Sequence, residues 1–217
     1  MPKNHDIGRK GVKGSTGLFL IAGLGNPGTR YAATRHNAGF RVIDLWRRRL
    51  GVRLGDRRFI SKHALVRFRN REVILLCPQT FMNRSGKSVR ACADYYGLET
   101  GNILVVHDDL DLPAGRIKIV RQGGPGGHRG VASVIEHLGS RQFPRIRIGI
   151  GRPRFGEDVE NYVLSPFYAD EKDVMERVFS TAVCACEVFV LEGEDSAMNR
   201  FNCQNTAEKE EKSSCRD

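Results

Sequence analysis

A chain of 217 residues, 40% hydrophobic and 28% charged, has an ordinary globular balance and is long enough to bury one sizeable core. That balance excludes a mainly disordered, collagen-like or disulfide-framework protein. The lack of any uncharged apolar run of about 18 residues excludes a transmembrane role. Net charge is +10, and the excess lies in the middle: residues 18–191 hold 27 basic against 17 acidic groups, whereas 192–217 hold seven acidic and four basic. Such a field favours polyanions, of which nucleic acid is the commonest large one; a solvated basic face is the plainer alternative. The six cysteines (Cys77, Cys92, Cys184, Cys186, Cys203, Cys215) form no CxxC pair and no zinc spacing. They read as reduced cytosolic thiols, with Cys92 and Cys184 as small buried hydrophobes of helices.

Residues 1–17 mix Gly and Lys without apolar periodicity and are expected to be a flexible basic leader, with neither the apolar region of a signal peptide nor the Arg/Ser richness of a transit peptide. Leu18 to Leu24 is a continuous apolar run of strand length and predicts a buried strand. After a loop, Phe40, Ile43, Leu45, Trp46 and Leu50 have helical spacing, and the alternating segments 58–68 and 72–77 predict a β-ribbon. A helix over Asn83 to Tyr96, a buried strand over Ile103 to Val106, a half-exposed strand over Arg116 to Arg121 and a helix over 131–138 follow. A strand over 145–150 and a long helix over 169–191 complete the series. This alternation predicts one α/β domain over 18–192, with a central mixed β-sheet covered by helices. Residues 193–217 are expected to be a polar, disordered tail.

Four loops at the ends of these elements concentrate polar side chains, where α/β folds hold ligands. The first, Gly23-Leu24-Gly25-Asn26-Pro27-Gly28, satisfies G-x-G-x-x-G and leaves a dinucleotide-binding turn and a merely structural turn both open, although no helix is expected directly behind it. It runs on to Thr34-Arg35-His36-Asn37. His36 lies beside Arg35 and a helix start, both of which disfavour an imidazolium, which makes it the best general-base candidate among the six histidines. In Gln79-Thr80-Phe81-Met82-Asn83-Arg84-Ser85-Gly86, Asn83 is either a helix cap or an amide at a pocket rim. Phe81 and Met82 are core residues unless they face the same cleft.

His107-Asp108-Asp109-Leu110-Asp111 brings three carboxylates to a strand end, for a divalent cation or, through one Asp, for orienting an imidazole. Gly123-Gly124-Pro125-Gly126-Gly127-His128-Arg129-Gly130 precedes a helix and suits a phosphate cradle or a hinge. Lys118, Arg121, Arg129, Arg145 and Arg147 stand on neighbouring elements, and several converging on one rim would form a phosphate-binding patch.

Taken in order, GLGNPG, YAATRHNAGF, FMNRSG, HDDLDLPAG and GGPGGHRG, spread across most of residues 18–190, resemble the bacterial-type peptidyl-tRNA hydrolases. The resemblance implies a single α/β domain that needs no metal or other cofactor and hydrolyses the ester joining a peptide to the 3′ ribose of tRNA. Position by position, it implies that His36 is the catalytic base and Asp108 the carboxylate orienting it. Asn26 and Asn83 become substrate-positioning amides, and Tyr31, Phe81, Met82 and His128 line the cleft. Arg147 matches a phosphate-gripping residue; a second such position is Val120 here, leaving Lys118 or Arg121 as substitutes. Arg129 departs from the pattern, since many members have Asn there. An arginine donates but cannot accept, which opens Arg129 to a phosphate contact in place of amide pairing. The expected partner is peptidyl-tRNA, with the chain a monomer in the cytoplasm and away from membranes. Plant organellar relatives that serve in RNA splicing supply the alternative of a catalytically inactive RNA-binding homologue.

Overall fold

The computed structural model describes residues 17–55 and 58–203. The run Leu18–Gly23 (β1) pairs in parallel with Arg71–Pro78 (β3) on one side and Ile103–Asp109 (β4) on the other. Strands flanked on both edges and both faces have no wet side, which is why LFLIAG, VILLC and ILVV are continuous apolar runs. Ser61–Phe68 (β2) forms an antiparallel hairpin with β3, and Ile117–Val120 (β5) pairs antiparallel with Arg145–Gly149 (β6), itself parallel to β4. The result is a six-stranded mixed sheet in the order β2-β3-β1-β4-β6-β5, its two antiparallel strands at the edges. Both edge strands alternate buried and exposed residues, as strands with one solvated face do.

Helices Ala38–Arg49 (α1) and Lys172–Glu192 (α5) cover one face, where Ile21, Val42, Ile43, Trp46, Val106, Phe179 and Phe189 share a core. Ser85–Tyr96 (α2) and Arg129–Leu138 (α3) cover the other, with Leu20, Ile74, Met82, Val89, Val105 and Val131. Two glycines set how closely helices approach. A Cβ on Gly39 would lie 2.3 Å from Val106 O, so the start of α1 rests directly on the ends of β1 and β4. A Cβ on Gly86 would lie 2.0 Å from Ser133 O, so α2 and α3 cross in near backbone contact. The first approach brings the turn before α1 to the end of β4; the second brings the start of α2 beside α3.

Several expectations are corrected here. Strand β4 runs to Asp109 rather than stopping at Val106, because its ladder with β6 extends through His107, Asp108 and Asp109. Two helices were not expected. Val159–Val163 (α4), capped by Asp158, is too short for a period to register. Glu194–Phe201 (α6) replaces the first part of the expected disordered tail. Its apolar stripe is thin, but Ala197 and Phe201 are buried, and Asn202 just beyond it accepts from Ile119 N at 2.7 Å and donates to Ile119 O at 3.0 Å, occupying the β5 edge. Residues 204–217 and the leader 1–16 lie outside the described residues. Cys92 is buried as expected, whereas Cys184 is exposed. Burial pushes the Cys92 thiol up to about 12 and raises Cys77 and Cys186 as well, so none of the three is a reactive thiolate. Among the described residues no helix is long and apolar enough to cross a membrane.

Gly39→Ala forces a methyl group against Val106 O and should cost about 1–3 kcal/mol or more. Gly101→Ala, with open space around the added atom, should stay within about 0.5 kcal/mol. Urea midpoints of the two variants measure both, and equal midpoints would remove the close-approach argument.

Candidate active site

Three segments meet at the end of β4. The 3-10 turn Arg35–Asn37 carries His36, whose Nδ1 lies 2.9 Å from Asp108 Oδ2 and 3.0 Å from Oδ1. His128 caps α3: its Nδ1 accepts from the backbone N–H of Gly130 and Val131, both at 3.1 Å, so that nitrogen carries no proton. Its Nε2–H is left to donate to Asp108 Oδ1 at 3.0 Å. The two imidazole rings lie 4.9 Å apart, with Asp108 bridging them. With Nδ1 of His36 turned to the carboxylate, its Nε2 is the free, basic nitrogen. Both polar atoms of His128 are engaged within the protein.

The electrostatics follow from this geometry. Burial works to lower the His36 pKa, but the charge and hydrogen bond of Asp108 raise it, Arg129 lowers it somewhat, and the net value lies above the usual 6.5. The expectation that Arg35 would depress it fails, because the Arg35 guanidinium is directed away, onto Glu171 at 2.8 Å. Burial would raise the Asp108 pKa, yet His36 and His128 hold it well below the usual carboxylate range. Burial and the neighbouring His128 push His107 well below 6.5; its Nδ1–H donates to Asp108 O at 2.7 Å, and it meets the His128 ring edge to face at 4.8 Å.

The array borders a cavity of about 480 Å³ lined also by Asn26, Phe81, Met82, Asn83, Leu110, Arg129 and the α4 residues Val159, Glu160 and Val163. Asn37 holds the Asn26 backbone from both sides, and Asn26 Oδ1 accepts from Met82 N at 2.8 Å. With one lone pair of its oxygen engaged, Asn26 keeps its NH2 as the group open to a ligand among the described hydrogen bonds. Asn83 does not cap α2: Arg84 occupies that position, and Asn83 stands exposed on the cavity wall. Phe81, 61% exposed, faces the cavity and is not a core residue; Met82 is both buried and lining. Tyr31 is not among the lining residues and lies under the Arg30 guanidinium.

The three carboxylates of the HDDLD stretch diverge. Asp108 takes the histidines, Asp109 takes Arg147 Nε at 2.5 Å, and Asp111 takes Arg152 at 2.5 Å. Among the described residues the group able to hold a metal ion is instead His36, Asp108 and His128, whose ligand atoms lie within 4.8 Å of one another. These atoms already hydrogen-bond to each other, so a cation there would have to displace both N–H donors from Asp108. The glycine-rich turn after β1 opens into a single 3-10 turn, Thr29–Tyr31, rather than an α-helix, since α1 begins ten residues past Gly28, so the feature that would hold a pyrophosphate is missing.

Of the cations, Arg147 and Lys118 are register partners on β6 and β5, side by side on one face. Arg121 is drawn off to Asp195 of α6, and Arg145 is buried, donating to Gly124 O at 2.8 Å and stacking on Phe143. Arg129 is 70% exposed and reaches Glu160 at 3.4 Å.

The residues sequence reading missed are Asn37, Leu110, Val159, Glu160 and Val163, together with the knot that supports them. Arg35 is fully buried between Tyr162 and Tyr168, 4.1 and 4.3 Å from their ring centres. It donates to Ser165 Oγ at 2.8 Å and to Pro166 O. Tyr162 in turn donates to Ile150 O at 2.6 Å. The turn that carries His36 is thereby tied to α4.

The sequence profile described as Peptidyl-tRNA hydrolase matches residues 20–212. The chain belongs to the peptidyl-tRNA hydrolase family. A peptidyl-tRNA hydrolase of Synechococcus sp. (strain JA-3-3Ab) is 48% identical over 85% of this chain and 83% of its own. That of Moorella thermoacetica is 48% identical over 85% and 98%. The crystal structure of a family member from Acinetobacter baumannii, 36% identical, superposes with a TM-score of 0.83 over 89% of this chain and 100% of its own.

Arg35→Met takes the buried cation from Glu171, leaving the carboxylate the half-exposed Arg154 at 3.2 Å, and should cost about 3 kcal/mol, the low end for breaking a buried ion pair. Arg35→Met combined with Glu171→Gln, which removes the under-paired charge, should recover part of that loss in urea denaturation. No recovery would mean that Arg154 satisfies the carboxylate and that stacking carries the contribution of Arg35.

Proposed function

We propose that the chain hydrolyses the ester between a peptide and the 3′ ribose of tRNA, with His36 as general base and Asp108 as the carboxylate that orients it. The observation that carries this reading is the Asp108-anchored His36, its Nε2 free at a cavity wall that also presents the Asn26 donor. Family membership supplies the substrate class. His36 Nε2 takes a proton from water as the water oxygen attacks the ester carbonyl carbon, and Asp108 stabilises the imidazolium that forms. The NH2 groups of Asn26 and Asn83 donate to the developing oxyanion. When the tetrahedral species collapses, the bond from carbon to the ribose oxygen breaks, and that oxygen receives the proton from His36. The products are a free ribose hydroxyl and a peptide carboxylic acid, which loses its proton to solvent; no covalent enzyme intermediate and no metal enter.

His128 keeps the Asp108 carboxylate oriented from the opposite side, and His36 remains the one imidazole of the pair able to change charge without breaking a helix cap. Phe81, Met82 and the α4 side chains give the peptide an apolar wall. Lys118 and Arg147 are the proposed phosphate contacts; Arg147 meets Asp109 through Nε, whereas Arg121 spends a terminal nitrogen on Asp195 and is the weaker candidate. The proposed setting is the cytoplasm, with the chain a monomer.

The assay compares N-acetyl-aminoacyl-tRNA with unblocked aminoacyl-tRNA. Release of the blocked amino acid in the presence of EDTA, with the unblocked ester spared, is expected; tRNA binding without release would favour an inactive RNA-binding role. His36→Ala should lower kcat by about 10²–10⁴ while the protein stays folded, and wild-type-like turnover would remove His36 as the base.

Because the base acts only when neutral, a raised His36 pKa means that kcat/KM falls as pH drops through a value above 6.5. Asp108→Asn removes the group that raises it. The acid limb should then move to lower pH while kcat drops; an unmoved limb in the pH profile would contradict the assignment.

A further inference from the structure

Arg129 stands where a cation is least welcome. It is the first residue of α3, whose N-terminal dipole repels positive charge, and the first turn of α3 contains no acid. Its facing acid comes instead from across the cavity mouth, as Glu160 in the first turn of α4. The pair is held loosely: 3.4 Å apart, with the side chains 70% and 63% exposed. A phosphodiester offers a guanidinium two oxygens in a matching fork and is the stronger partner for it. On the reading of the substrate as peptidyl-tRNA, one such group always lies within a nucleotide of the scissile ester, whereas an acidic peptide side chain is present only in some substrates.

We propose that Glu160 stands in for RNA phosphate: it holds Arg129 across the cavity mouth until the phosphodiester next to the terminal ribose displaces it. Arg129 is then a specificity-determining contact to the RNA end, and Glu160 is its internal competitor. The two partners therefore act on substrate affinity with opposite signs, which a purely structural clamp between α3 and α4 cannot do.

Steady-state hydrolysis of N-acetyl-aminoacyl-tRNA by wild type, Arg129→Gln, Glu160→Gln and the double variant, over a range of salt, tests this. Arg129→Gln should raise KM about tenfold, the low end for losing a hydrogen bond to a charged group. It should also flatten the slope of log KM against log salt by about 0.7, one single-strand phosphate contact. Glu160→Gln should lower KM by up to about fivefold, the size of releasing an exposed ion pair, and the double variant should match Arg129→Gln. Both side chains are exposed, and parallel melting curves verify that each variant is folded. If Glu160→Gln raises KM or leaves it unchanged, or if Arg129→Gln keeps the wild-type salt slope, the competition does not exist. If wild type itself leaves the ester intact, the proposed function fails and this inference with it.

Discussion

A carboxylate buried to the extent of Asp108 is tolerated only if donors surround it, and that requirement organises the end of the sheet. The donors come from two segments distant in sequence, the turn before α1 and the cap of α3, each arriving on a different side of β4. Removing either would leave a partly unpaired charge in a place water does not reach. The same need explains why His128 is locked in one tautomer while His36 is not: one ring has its second nitrogen committed to a helix end, the other has it free. Two histidines around one acid thus have different capacities, decided by what lies behind each ring.

Around this centre the molecule divides its labour by surface chemistry. The cavity wall from Phe81 to Val163 is largely apolar, and cations stand at its mouth and on the β5 and β6 strands beyond. The knot of Arg35, Tyr162, Tyr168 and Glu171 connects the two, because one buried guanidinium fastens both the turn bearing His36 and the short helix walling the cavity. A guanidinium can do this where an ammonium could not: its flat faces stack while its edges donate in plane.

Much of the fold was legible because buried parallel strands write themselves as unbroken apolar runs; β1 and β4 were read so, whereas β3, read as an alternating ribbon segment, is buried without a break from Val73 to Pro78. What stayed hidden was short or conditional. α4 spans little more than one turn, and α6 depends on Phe201 and Asn202 finding β5, a tertiary fact without a local signature. In the site, His36 stood out as a histidine at a helix start, whereas Asp108 was one of three carboxylates at a strand end and was singled out by the resemblance alone. The commitment of Asn26 Oδ1 to Met82, the pairing of Asp109 with Arg147 and the diversion of Arg121 to Asp195 could not be read, since each depends on a partner dozens of residues away. The direction of the His36 shift was misjudged for the same reason: the neighbour in sequence, Arg35, matters less than the neighbour in space.

The fixed orientation of the Asn26 carboxamide carries one more implication. A group whose N–H donors stand open while its oxygen is half-engaged favours carbonyl oxygens over N–H groups as partners. A polypeptide laid against it would then be met chiefly through a feature common to all residues, imino acids included.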